Sequence, residues 1–92
     1  MPTSRDADAR YHLGLLLVAA GKRSDAMAEF KTVLRYNPNH AEAHDALGAA
    51  LYESGRFTEA VAEFTQTMRL NPNLAQVRDN LELARRAAGI TK

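Results

Sequence analysis

His40 and His44 stand four residues apart, a spacing that puts two imidazoles on one helix face, within reach of a single zinc ion. No HExxH motif accompanies them, and a third ligand would have to be an Asp or Glu from elsewhere, so two surface histidines are the simpler reading. The chain has no cysteine, which removes thiolate metal sites, disulfides and a cysteine nucleophile. Ser4, Ser24 and Ser54 fall at expected helix ends, with neither a nucleophile motif nor a base beside them. The glycines Gly14, Gly21, Gly48, Gly55 and Gly89 make no phosphate-binding loop. Lys22, Arg23, Lys31, Arg35, Arg56 and Arg69 are scattered. Twelve Lys and Arg against eleven Asp and Glu leave a net charge of +1, too little to draw nucleic acid or an anionic membrane. The expectation is a chain without catalytic residues, metal or cofactor.

The elements that would position any site follow from a repeat. Shifting the sequence by 34 lays residues 7–40 over 41–74 with 14 identities in 34 positions, where ordinary composition yields roughly two or three. Leu13-Gly14, Leu17, Gly21, Ala26, Phe30, Asn37 and Pro38 recur as Leu47-Gly48, Leu51, Gly55, Ala60, Phe64, Asn71 and Pro72. Ala75, Asp79, Leu81, Ala84 and Gly89 continue the register, so the chain holds two repeats and half of a third. Apolar residues inside each unit step by three and four, the period of a helix. Gly21, Gly55 and Gly89 close helices by taking the left-handed conformation. Ser24 and Thr58 are expected caps, Asn39 with Glu42 and Asn73 with Gln76 expected capping boxes. The spacing predicts an all-α protein with helices near 4–20, 24–36, 40–54, 58–70 and 74–88.

The rest of the composition agrees with one small soluble domain over 1–92, being 46% hydrophobic and 25% charged. Its longest uncharged run, between Arg10 and Lys22, is too short to span a bilayer, and the start does not look like a signal peptide, which points to the cytoplasm. Small residues at Gly14, Gly48, Ala26 and Ala60 are expected where helix axes approach, with Phe30 and Phe64 filling the wider gap between pairs.

Those residues carry a resemblance. With Leu13-Gly14, Leu17, Ala26, Phe30 and Pro38 and their copies Leu47-Gly48, Leu51, Ala60, Phe64 and Pro72, the sequence resembles tetratricopeptide-repeat (TPR) proteins. Arg10 and His44 replace the tryptophan often found at the head of that motif. The resemblance implies a right-handed superhelix of antiparallel helical hairpins (an α-solenoid), with repeats 7–40 and 41–74 and a capping helix at 75–88. It also implies a concave groove lined by the first helix of each unit, which binds a peptide or protein segment. In this sequence the groove positions are Asp8, Tyr11, His12, Leu15, Val18 and Ala19, then Glu42, Asp45, Ala49, Tyr52 and Glu53, then Gln76, Asp79, Asn80, Leu83 and Arg86. Tyr11 and Tyr52 supply aromatic anchors. The acids against a lone Arg86 predict a partner with basic and apolar residues. An open groove desolvates no carboxylate for acid–base work. TPR domains that hold a terminal carboxylate use Lys, Asn and Arg where this chain has Tyr11, Leu15, Ala46, Gln76 and Asn80, so no such clamp is expected.

The two ends differ. Glu82 and Arg85 stand where earlier units have Gly and Leu, as suits a capping helix that is the native end of the array. The first helix keeps its apolar pattern at Ala9, Leu13 and Leu16, an edge that would suit a homo-oligomer. A self-associating scaffold subunit and an accessory segment of a larger enzyme are the alternatives to a groove-binding module.

Overall fold

The computed structural model describes residues 4–89, with side chains from Asp6 onward. The chain forms α1 (Ser4–Ala19), α2 (Arg23–Tyr36), α3 (Ala41–Glu53), α4 (Phe57–Leu70) and α5 (Ala75–Ala87). Every boundary lies within one residue of the predicted one. The helices pack as sequential antiparallel pairs, α1 on α2 and α3 on α4, with α3 also lying on α2 and α5 on α4. The result is a slab of 44 × 27 × 18 Å.

Both hairpin turns are built alike. Gly21 and Gly55 each have φ of 79°, the left-handed conformation that a Cβ disfavours. Each turn then closes with the two bonds of a Schellman motif. The Lys22 N–H donates to Leu17 O at 2.8 Å and the Gly21 N–H to Val18 O at 3.0 Å. Arg56 and Gly55 repeat the pattern with Leu51 and Tyr52.

The expected caps are displaced. The residues preceding α2 and α4 are Lys22 and Arg56, and neither side chain caps. Ser24 and Thr58 lie inside the first turn, because the Schellman closure brings the chain into the helix two residues after the glycine. Asn39 does not cap α3 either. Its N–H is held by the Asn37 side-chain oxygen at 3.2 Å, an Asx turn around Pro38, and His40 takes the cap position. Leu74, not Asn73, precedes α5, again without a side-chain bond.

The core runs along the slab from Ala26, Met27 and Phe30 through Leu47, Leu51, Ala60 and Phe64 to Val77 and Ala84. Phe30 and Phe64 are fully buried in this core. Each lies over the glycine of its own hairpin, so close that a Cβ at Gly14 would meet the Phe30 ring at 2.4 Å, and one at Gly48 the Phe64 ring at 2.8 Å. The repeated Gly and Phe are thus one device, a ring seated where a side chain is missing. Thr67, in the register of Val33, is fully buried, and its hydroxyl donates back to Glu63 O at 3.0 Å. On α5, Val77 and Ala84 are buried while Glu82 and Arg85 are exposed.

Candidate functional site

The two layers of the slab follow from which helices meet. The first helices touch in series, α1 with α3 and α3 with α5, whereas α2 and α4 do not touch. The first helices therefore form the inner layer and the second helices the outer. The candidate residues on α1, α3 and α5 fall into two groups.

The first group surrounds Tyr11. Its ring is half-buried, with the Phe30 ring centroid at 6.0 Å and that of His40 at 5.1 Å. Burial, followed by the nearby carboxylates of Glu42 and Asp45, raises the phenol above its usual range. Asp45 is itself half-buried. Its Oδ1 is fully enclosed with no hydrogen-bond partner among the described residues, and desolvation raises its carboxyl above the ordinary range. Asp8 is exposed and accepts from His40 Nε2–H at 3.1 Å. That hydrogen is placed by the other nitrogen, since His40 Nδ1 accepts the Ala43 N–H at 3.1 Å.

The second group forms a cleft of about 150 Å³ between α3 and α5, lined by Ala49, Tyr52, Glu53, Phe64, Asn80 and Leu83. All but Phe64 are among the residues expected to line a groove. Tyr52 is held against the Phe57 ring at 5.2 Å, and Leu83 is 50% exposed. Leu15 and Val18 stand exposed on α1, while Asp79, Gln76 and Arg86 are exposed along α5. His12 turns back on its own helix, its Nδ1–H donating to Asp8 O at 2.7 Å.

Several charges lie elsewhere than sequence reasoning placed them. Glu53 is not an unanswered acid of the inner face, because the Arg23 guanidinium reaches it from α2 at 3.7 Å and also donates to the Glu53 carbonyl. Arg86 is therefore not the lone cation there, and it lies 3.8 Å from Glu82. His40 is not a surface residue but 8% exposed. His44 points instead to Glu63 on α4, at 2.7 Å, and to Pro38 O at 2.8 Å. The two imidazoles thus diverge, and no group of three or more His, Asp or Glu that could hold a metal occurs among the described residues. His44–Glu63 has its counterpart 34 residues earlier in Arg10–Glu29 at 3.2 Å. Glu29 and Glu63 repeat at the same register as the head residues Arg10 and His44. The shared register was the available signal.

Among the described residues no helix is long and apolar enough to cross a membrane. No curated protein matches the chain. The family profile described as Tetratricopeptide repeat matches residues 11–75, the span from Tyr11 to the first residue of α5. With paired helices, glycine-closed turns and a Phe seated on Gly in each unit, the chain belongs to the tetratricopeptide-repeat family, whose repeats are generally protein-interaction modules.

Proposed function

We propose that this chain is a non-catalytic interaction module that binds a peptide or protein segment along the inner face of α1, α3 and α5. The observation that carries the reading is the cleft over Phe64. At about 150 Å³ it matches a cavity that holds one benzene-sized group. Its apolar residues sit on packed helices, so little ordering opposes binding. The partner segment offers one Leu-, Met- or Phe-like side chain to this cleft. A Lys or Arg in the same segment lies toward Asp45 and Glu42, whose carboxylates attract a cation. The groove positions in this reading are Asp8, Tyr11, Leu15, Val18, Glu42, Asp45, Ala49, Tyr52, Asp79, Leu83 and Arg86. The Lys, Asn and Arg of a carboxylate clamp are not at the corresponding positions, so an acidic peptide with a free carboxy terminus binds poorly.

A random peptide library panned on the intact protein tests this. The expected enrichment is an apolar residue flanked by Lys or Arg, with loss of affinity of roughly tenfold or more in Leu83→Asp and Tyr52→Ala, the scale of a hot-spot deletion. Enriched peptides that bind both variants as well as the parent would refute the assignment.

A further inference from the structure

His44 meets two oxygens that can only accept a hydrogen bond. Its Nδ1 lies 2.7 Å from Glu63 Oε1 on α4, and its Nε2 lies 2.8 Å from the Pro38 carbonyl oxygen in the turn after α2. A neutral imidazole has one N–H and makes one of these bonds, whereas the imidazolium has two and makes both. A carboxyl is a stronger acid than an imidazolium, so a proton shared between His44 and Glu63 rests on the ring. His40, four residues earlier, is built the other way, since its Nδ1 faces a donor, the Ala43 N–H.

The repeat register shows what is unusual here. In the first unit the same contact is Arg10 with Glu29 at 3.2 Å, and a guanidinium keeps its charge throughout the range in which proteins fold. In the second unit the cation is an imidazole, the side chain whose charge changes between about pH 5 and 8. Neighbouring charges are engaged elsewhere. On α1, Asp8 pairs with His40 and Arg10 with Glu29, and on α3 itself Glu42 lies 3.6 Å from His40. Among the described residues Glu63 is the ion-pair partner of His44, and the two side chains are only 24% and 13% exposed, so salt screens the pair little.

We propose that His44 is a proton-operated tie at the joint between the two units. As the imidazolium it holds α3 both to Glu63 on α4 and to Pro38 in the turn that leaves α2. When the ring gives up one proton, Nδ1 keeps its N–H, because a hydrogen bond to a carboxylate is about twice as strong as one to a carbonyl. Nε2 then turns a lone pair toward the Pro38 oxygen, and the turn is released. Two bonds on the acid side become one on the alkaline side, so the stability that this residue contributes is full at low pH and falls as pH rises through the imidazole range.

Nitrogen-15 NMR of the imidazole rings in the intact chain reads the tie directly. At about pH 5 both His44 nitrogens are expected to carry hydrogen, and at about pH 8 only Nδ1, the tautomer opposite to that of His40. A His44 that carries its hydrogen on Nε2 at the higher pH overturns the proposal, since the turn would stay tied. Urea denaturation at the same two pH values gives a second readout, in which ratios to a variant cancel the other titrating groups. The ratio of the parent's folding constant to that of His44→Gln is expected to fall about fivefold from the lower pH to the higher, the worth of one net hydrogen bond. The ratio to His44→Arg should fall too, because arginine keeps its charge. Ratios that are flat or rise with pH overturn the tie, even if both variants are less stable throughout.

Discussion

Asp45 is the residue at which folding and binding oppose each other. Burial raises its carboxyl above the ordinary range, so the folded chain holds that proton more tightly than the unfolded chain does. Below the unfolded-state range both states are protonated and nothing is lost. Above the folded value the native state carries an ionised, half-buried group, and stability falls as pH rises between the two. Asp45→Asn is accordingly expected to raise the urea midpoint at pH 7 and to change it little near about pH 3. Equal midpoints at both pH values would show that the carboxylate is well solvated. A bound Lys or Arg would offset the same cost in the parent protein, and the stabilisation from the substitution would shrink in the complex. That Asp45 belongs to the inner face was legible in the sequence, because the repeated packing positions leave it free. Its burial was not, since the Tyr11 beside it belongs to a different helix.

For the helices, the decisive local chemistry is at their first turns. Hydroxyls at Ser24 and Thr58 look like caps in sequence, yet neither occupies the cap position, because the glycine closure starts each helix two residues earlier than a hydroxyl cap would. His40 is the residue whose side chain caps α3, while its Nε2–H ties that cap to Asp8 on α1. Ser24→Ala should therefore change unfolding free energy by less than about 0.5 kcal/mol. His40→Ala should cost about 1–2 kcal/mol through the lost cap, both read from urea denaturation. Comparable losses in the two variants would mean that the α2 start is capped after all. Helix boundaries were readable to a residue because glycine and proline act locally. The cap identities were not, because an offset of one or two residues decides them.

As a whole molecule the protein is a short stack in which each helix leans on its neighbours in sequence. Stability in such arrays is close to a sum of nearest-neighbour terms, and opening starts at the ends. Amide exchange should accordingly be slowest in α2, α3 and α4 and fastest in α1 and α5. Uniform protection across all five helices would indicate one indivisible folding unit. The asymmetry of the two ends was visible in the sequence, where α5 exchanges Gly and Leu for Glu82 and Arg85 and α1 keeps its apolar stripe. How much of that stripe is bare was not, because exposure depends on where α2 lies.

What the sequence by itself determined is the part governed by near neighbours: a 34-residue period, helical spacing, glycine stops and the asparagine–proline turns. Each acts within a few residues, so reading along the chain is enough. The tertiary structure alone decided the pairings across the hairpins and between the units. Arg10 meets Glu29 and His44 meets Glu63 across 19 residues, Arg23 reaches the Glu53 carbonyl across 30, and His40 finds Asp8 across 32. It also decided that Phe30 and Phe64 rest on Gly14 and Gly48. Such contacts depend on how far apart the helix axes settle and how they rotate, and those two quantities come from the packing of all five helices together.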